Sequence, residues 1–265
     1  MARILITGCS TGIGRATAAE LAKRGHEVIA TARRVDTLRD LDVSERLPLD
    51  VTDEASVTAA VGACGHLDAL VNNAGLGLGG PIENVPLPDV RSLFDTNVFG
   101  AVRMIQAVLP HMRNTGNGVI VNVSSLSGKV SSPLAGYYSA TKYALEAISE
   151  ALHYEVGHFG IRVAIIEPGA IATSFDENEH QHGDDVPPYD ELRKQWDVAQ
   201  ASLLGGQAAP GPEVVALAIA NAIDDPATPL RVPVGADAEM VIAARASMDD
   251  ATFEATMRQT LGLEW

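Results

Sequence analysis

A chain of 265 residues, 46% hydrophobic and 20% charged, has the composition of a soluble globular protein able to bury a substantial core without disulfide staples. Nineteen Lys and Arg against 34 Asp and Glu leave a formal charge of -15, and an anionic surface of that size repels phosphate backbones and acidic headgroups, so neither nucleic acid nor a membrane surface is expected as a partner. Two cysteines, Cys9 and Cys64, no opening run of the signal-peptide kind and no stretch near the roughly 18 apolar residues of a spanning helix point to a cytoplasmic setting.

Short β-rich apolar runs alternate with longer helix-compatible stretches. Strands are predicted at Arg3 to Thr7, Val28 to Ala32, Ala69 to Asn72, Val119 to Ser124, Ile161 to Glu167 and Leu230 to Val234; crossover helices fit Arg15 to Arg24, Asp89 to Met112 and Tyr138 to His158. Repeated β-α-β units imply an α/β fold with a doubly wound parallel sheet of about seven strands and helices on both faces. No internal repeat or linker divides the chain, so residues 1–265 are read as a single domain. Residues 174–212 lack strand patterning and mix a polar run, Asp176 to Asp185, with Pro, Gly and Trp196; they are expected to form a lid over the bound molecule.

The first strand runs into Gly8-Cys9-Ser10-Thr11-Gly12-Ile13-Gly14 and then into a helix-favouring stretch. Glycines let backbone amides and the positive end of a helix approach a pyrophosphate, which explains how an acidic protein can hold an anionic ligand. The spacing is Gly-x-x-x-Gly-x-Gly, and a merely structural tight turn stays open on this feature alone. The second strand ends in Arg33-Arg34, where an acidic residue would bind a ribose hydroxyl and arginine would neutralise a 2'-phosphate; this favours NADP(H) over NAD(H). The competing reading has these arginines pair with Asp36 and Asp40. Tyr138 and Lys142 are four residues apart and share a helix face, where a cation can stabilise a phenolate.

In this order the chain resembles the short-chain dehydrogenase/reductase family in its compact, Rossmann-type single-domain form. The motifs are Thr7 to Gly14, Asp50-Val51, Asn72-Asn73-Ala74-Gly75, Asn97, Ser125, Tyr138 with Lys142, and Pro168-Gly169-Ala170-Ile171-Ala172-Thr173. The resemblance implies a nicotinamide-dependent oxidoreductase in which Ser125 and Tyr138 bind the reacting oxygen, Tyr138 is general acid/base, Lys142 lowers its pKa and holds the ribose, and Asn97 supports a water leading to Lys142. It further implies that Ser10, Thr11 and Ile13 hold the phosphates, Asp50 and Val51 the adenine, Asn73, Ala74 and Gly75 the ribose side, and Pro168, Gly169, Ile171 and Thr173 the carboxamide side, with Asn72 bracing strands. Family relatives commonly pair through the helices at Asp89 to Met112 and Tyr138 to His158, implying a homodimer or homotetramer.

Register and family spacing select Tyr138 over Tyr137 and Ser125 over Ser124. Cys9 has no neighbouring base and is read as a small turn residue. His180 and His182 lack a companion ligand set, so no metal is expected. A small-molecule carbonyl or alcohol is the expected partner, and Leu126, Val130, Phe175, Tyr189, Leu192, Trp196, Leu203 and Leu204 offer it apolar surface, or else anchor the lid to the core. The stretch Tyr138 to Phe175 is similar to members acting on steroids, retinoids and other lipophilic ketones or alcohols. Three alternatives remain: an NAD-dependent enzyme, a non-catalytic dinucleotide-sensing regulator, and a dehydratase or epimerase with transient hydride transfer.

Overall fold

A computed structural model describes residues 1–173, 180–182, 187–203 and 206–265. Strands β1 (Arg3–Ile6), β2 (Glu27–Ala32), β3 (Glu45–Pro48) and β4 (Ala69–Asn72) alternate with helices α1 (Gly12–Lys23) and α2 (Glu54–Cys64). After β5 (Leu78–Gly79) come α3 (Leu87–Phe94), α4 (Ala101–Thr115), β6 (Gly118–Val123), α5 (Gly136–Val156) and β7 (Ile161–Pro168). The remainder comprises β8 (His180–Gln181), α6 (Asp190–Leu203), α7 (Glu213–Asp224), β9 (Arg231–Val234), α8 (Ala236–Ser247) and α9 (Asp250–Leu261).

Seven parallel strands form one sheet in the order β3-β2-β1-β4-β6-β7-β9. Successive side chains of a strand point to opposite faces. Ile4 and Ile6 therefore join Ala18 and Leu21 of α1 and Ile219 of α7 in one core layer, while Leu5 joins Val57 of α2, Met104 and Val108 of α4 and Leu152 of α5 in the other. Burial on both faces explains why the central strands read as unbroken apolar runs rather than alternating ones.

The direction of winding reverses between β1 and β4, which leaves a crevice at the carboxyl ends of the strands. Asn72 ends β4 facing Asn122 of β6: Asn72 Nδ2 donates to Asn122 Oδ1 at 2.9 Å, and Asn122 Nδ2 donates to Ser149 Oγ of α5 at 2.8 Å. This polar ladder ties both strands to α5 beneath the crevice.

The helix expected over Asp89 to Met112 is divided. A π-helical turn, Asp95–Gly100, separates α3 from α4 and carries Asn97. A second, two-stranded sheet pairs Leu78–Gly79 with His180–Gln181, inside the stretch expected to lack strands.

Candidate active site

Four chain segments converge at the crevice: the turn after β1, the segment after β4, the end of β6 and the loop after β7. Gly8 and Gly12 adopt φ of +74° and +56°, values that L side chains rarely take. A Cβ on Gly14 would lie 2.4 Å from both Asn73 Nδ2 and the Gly8 carbonyl oxygen. Asn73 Nδ2 donates to the carbonyls of Thr7 and Gly8 at 2.9 and 3.1 Å, so its side chain braces the turn. Thr7 Oγ1 accepts from the amides of Asn73 and Ala74.

Thr11, the N-cap of α1, makes no side-chain cap bond, and the first turn holds no acidic residue. The amides at this helix start are not claimed by a capping side chain, and the absent Cβ atoms let a ligand come close; these residues fit a dinucleotide phosphate. Gly14→Ala is expected to lower stability by about 1–3 kcal/mol, because its methyl meets backbone, and to weaken dinucleotide binding. A denaturant midpoint and a cofactor titration check both effects.

At the adenosine end, Arg33 and Arg34 are exposed, and neither forms an ion pair among the described residues. Asp40 is instead held by Arg15, 2.6 Å away, and Arg15 also reaches the Thr37 carbonyl. Arg15 was not singled out from the sequence, where it reads as an ordinary helix residue. Asp50 Oδ1 accepts from the Thr52 amide and hydroxyl at 3.0 and 2.7 Å; these bonds, helped by Arg33, hold its carboxyl below the ordinary carboxylate value. Val51 is buried against Gly100, which has no room for a Cβ there.

Tyr138 and Lys142 lie one helical turn apart on α5. Lys142 is only 7% exposed; its Nζ donates to the Val123 carbonyl at 2.9 Å and lies 5.6 Å from the Tyr138 ring centre. Burial pulls its pKa down to about 8, against a smaller opposing pull from Glu146. Tyr138 is half-buried. Ser125 caps a short 3-10 turn, Leu126–Gly128, that packs against α5, and its Oγ accepts from the Ser127 amide at 3.0 Å.

Asn97 is buried, and its side chain is fully engaged. Oδ1 accepts from the Leu76 amide, while Nδ2 donates to the Leu76 carbonyl and to Thr141 Oγ1. These bonds fix Asn97 in the π turn, a feature frequent at functional sites. Thr141 is a further support that the sequence did not single out.

Ser124 and Tyr137 take other places. Ser124 is buried, and the Tyr137 hydroxyl donates to the Ile82 carbonyl. Cys9 is buried in the turn, its thiol pushed up to about 12 by burial, which suits packing rather than nucleophilic attack.

The loop Pro168 to Thr173 is fixed from a distance. Asp237, buried in the first turn of α8, accepts from the Ala170 amide at 2.7 Å, and a Cβ on Gly169 would lie 2.2 Å from its carboxylate oxygens. Thr173 approaches Gly12 across the crevice, within 3.4 Å of where a Gly12 Cβ would stand. Asp237 carried no signal in the sequence, since its partner lies 67 residues away.

Of the apolar residues expected over the site, Trp196 and Leu203 pack with Leu134, Met257, Leu261 and Leu263, anchoring α6 to the C-terminal helix. Tyr189 faces Trp265. Leu126, Val130 and Leu192 are half-buried, and Phe175, Leu204 and most of Asp176 to Asp185 lie outside the described residues. His182 contacts Asp89 at 2.9 Å, and no cluster of metal-ligating residues occurs among the described residues.

A family model described as short chain dehydrogenase matches residues 2–184. The oxidoreductase YusZ of Bacillus subtilis is 36% identical, covering 97% of this chain and 97% of that protein. The 3-ketodihydrosphingosine reductase of Bacteroides thetaiotaomicron is 42% identical over 67% of this chain and 66% of its own length. Among solved structures, a short-chain dehydrogenase from Streptomyces avermitilis is 36% identical and covers 100% of both chains at a TM-score of 0.85. One from Burkholderia cenocepacia in complex with NADP is 25% identical, covers 97% of each chain and has a TM-score of 0.79. A 3-ketoacyl-(acyl-carrier-protein) reductase from Brucella melitensis complexed with NADH is 27% identical over 88% of this chain and 96% of its own, at a TM-score of 0.72. The glycine turn, the parallel sheet and these matches together place the chain in the short chain dehydrogenase family, as an NAD(P)-dependent oxidoreductase.

Proposed function

We propose that the protein exchanges hydride between NADP(H) and a lipophilic ketone or secondary alcohol, with Tyr138 as its general acid/base. The observation that carries this reading is the Lys142 ammonium, buried and fixed to the Val123 carbonyl beside the Tyr138 ring at the mouth of the glycine-lined crevice. The nicotinamide, when bound, supplies or accepts the hydride. Tyr138 gives its phenolic proton to the substrate oxygen in reduction and takes it back in oxidation. The positive charge of Lys142 favours the phenolate that this requires. Ser125 Oγ accepts from the Ser127 amide, which leaves its own hydrogen to be donated to an oxygen that gains negative charge. Thr173, Ile171 and the Asp237-held loop orient the carboxamide side.

Preference for NADP(H) is supported by Arg33 and Arg34, whose expected partner Asp40 is occupied by Arg15. Relatives of this fold occur with either cofactor, one with NADP and one with NADH, so the preference rests on these side chains. A lipophilic substrate is supported by a relative named for reduction of 3-ketodihydrosphingosine. Self-association is assigned to the outer faces of α5 and the π turn, where Tyr154 and Phe99 are exposed.

The experiment is a screen of lipophilic ketones and alcohols followed by nicotinamide absorbance, with product analysis. One nicotinamide oxidised per ketone reduced is expected. Turnover with no net nicotinamide change would replace this reading with an epimerase or dehydratase, and cofactor binding with no turnover would favour a regulator.

A further inference from the structure

The face of α5 that carries Tyr138 and Lys142 continues at the same four-residue interval into Glu146 and Glu150. Glu146 is 4% exposed and Glu167, on β7 just before the Pro168-Gly169 loop, is 1% exposed. Buried carboxylates are ordinarily paired or neutral. Here one guanidinium serves both: Arg231 of β9 lies with Nε 2.9 Å from Glu146 Oε2 and 3.8 Å from Glu167 Oε1, and its other arm binds Glu150, which is half-exposed.

Glu146 and Glu167 meet at the same guanidinium, and Oε1 of each is buried and receives no hydrogen bond from the protein. Two buried carboxylates that share one guanidinium repel each other when both are ionised, which favours a proton on the pair. Burial first, and Glu146 second, raise the Glu167 pKa to about 7. Glu146, the member of the pair next to Lys142, lies one helical turn along α5 from it, and its charge acts on the ammonium. Glu146 Cγ and the buried Ser124 Oγ both lie within 3.0 Å of the point a Gly128 Cβ would occupy, and the Lys142 backbone lies 3.3 Å from it.

We propose that Glu146 and Glu167 hold one proton between them and that the charge of this pair, acting through Lys142, sets the pH range over which Tyr138 and Lys142 work. Both glutamates are positioning residues, and the linkage to Lys142 rests on the catalytic reading above. Below neutrality the pair carries one negative charge. As pH rises, the shared proton leaves to solvent, the second negative charge appears, and the Lys142 ammonium persists to higher pH. Among the described residues, the other charged groups that act on the pair are Arg231 on β9, Lys129 after the 3-10 turn and, through Arg231, Glu150 on α5. Arg231 is the one basic group among the described residues that touches the pair, and a single positive charge does not neutralise two carboxylates.

Infrared titration of the full-length protein with NADP bound, from pH 5 to 9, reads the proton directly. A buried carboxylic-acid band is expected at pH 6, fading near neutrality, absent in Glu167→Gln and shifted to lower pH in Glu146→Gln. No such band, or a band unaltered in both variants, overturns the shared proton. The pH profile of kcat/KM for ketone reduction reads the linkage. Its alkaline limb is expected to move down by about half to one pH unit in either variant, a threefold to tenfold loss at a fixed pH on that limb. A uniform loss at every pH with the limb unmoved marks a structural role and overturns the action through Lys142. If Glu167→Gln does not fold, the unsubstituted protein and Glu146→Gln still decide both points. A protein that turns over no carbonyl defeats the catalytic reading and with it the linkage, while the infrared band separately decides the proton.

Discussion

Tyr138→Phe is expected to reduce turnover by about 10³-fold, within the range that a positioned general acid/base contributes, while changing NADPH affinity by no more than about twofold. The phenyl ring preserves the packing on α5 and leaves Lys142 anchored to the Val123 carbonyl, so the change removes the hydroxyl with its exchangeable proton and keeps the rest of the site. Steady-state kinetics with a productive ketone, beside a cofactor titration, measure the two quantities separately. Retention of full turnover would remove Tyr138 from the reaction. A comparable loss of cofactor affinity would show instead that the hydroxyl holds the dinucleotide.

The pH dependence has a defined sign. Lys142 is charged below about 8 and loses its charge as pH rises through that value, because burial disfavours the ammonium. Support for the phenolate therefore weakens on the alkaline side, and reduction, which also needs a protonated Tyr138, declines there.

Arg33→Asp is expected to weaken NADPH binding by about 10²-fold, as loss of a charge-assisted bond is joined by repulsion from the new carboxylate, while NADH binding changes by no more than about threefold. Arg33 is exposed and forms no ion pair among the described residues, so its replacement costs the fold little. Calorimetric or fluorescence titration of both cofactors measures the difference. Equal affinities in the unsubstituted protein, or equal losses in the variant, would refute the preference. At higher ionic strength the NADPH advantage should shrink, since exposed charges are screened.

Much of the fold was legible because short-range physics produces it. Runs such as Ile4-Leu5-Ile6 and Val119 to Val123 are continuous and apolar because both faces of a parallel strand are covered. The glycine turn was legible because its backbone conformation excludes most side chains. Tyr138 and Lys142 stood out because a four-residue spacing defines one helix face whatever surrounds it. The motif residues lie where four strands end on the same side of the sheet.

What escaped depends on packing between distant segments. One long helix over Asp89 to Met112 is a sound reading of periodicity, yet the chain inserts a π turn that carries Asn97 into bonds with Leu76 and Thr141. The pairing of Leu78–Gly79 with His180–Gln181 has too few residues to show a pattern. Helices α8 and α9 were not anticipated, and Trp196 and Leu203, which sequence alone left between substrate cover and anchor, pack as an anchor against α9 and its neighbours.

By itself, the sequence determined the class of sheet, the anion-binding turn, the arginine pair and the tyrosine-lysine face, because each follows from local backbone geometry or from a side-chain period of two or four residues. Only the tertiary structure decided the charge environment of these groups. It occupied Asp40 with Arg15, hung the loop after β7 on Asp237, buried Lys142 against a carbonyl, and brought Glu146 and Glu167 together beside an arginine 85 residues along the chain from Glu146. The physical reason is that desolvation and close charge pairing depend on which elements meet, and those meetings are set by the packing of the whole core rather than by any neighbouring residue.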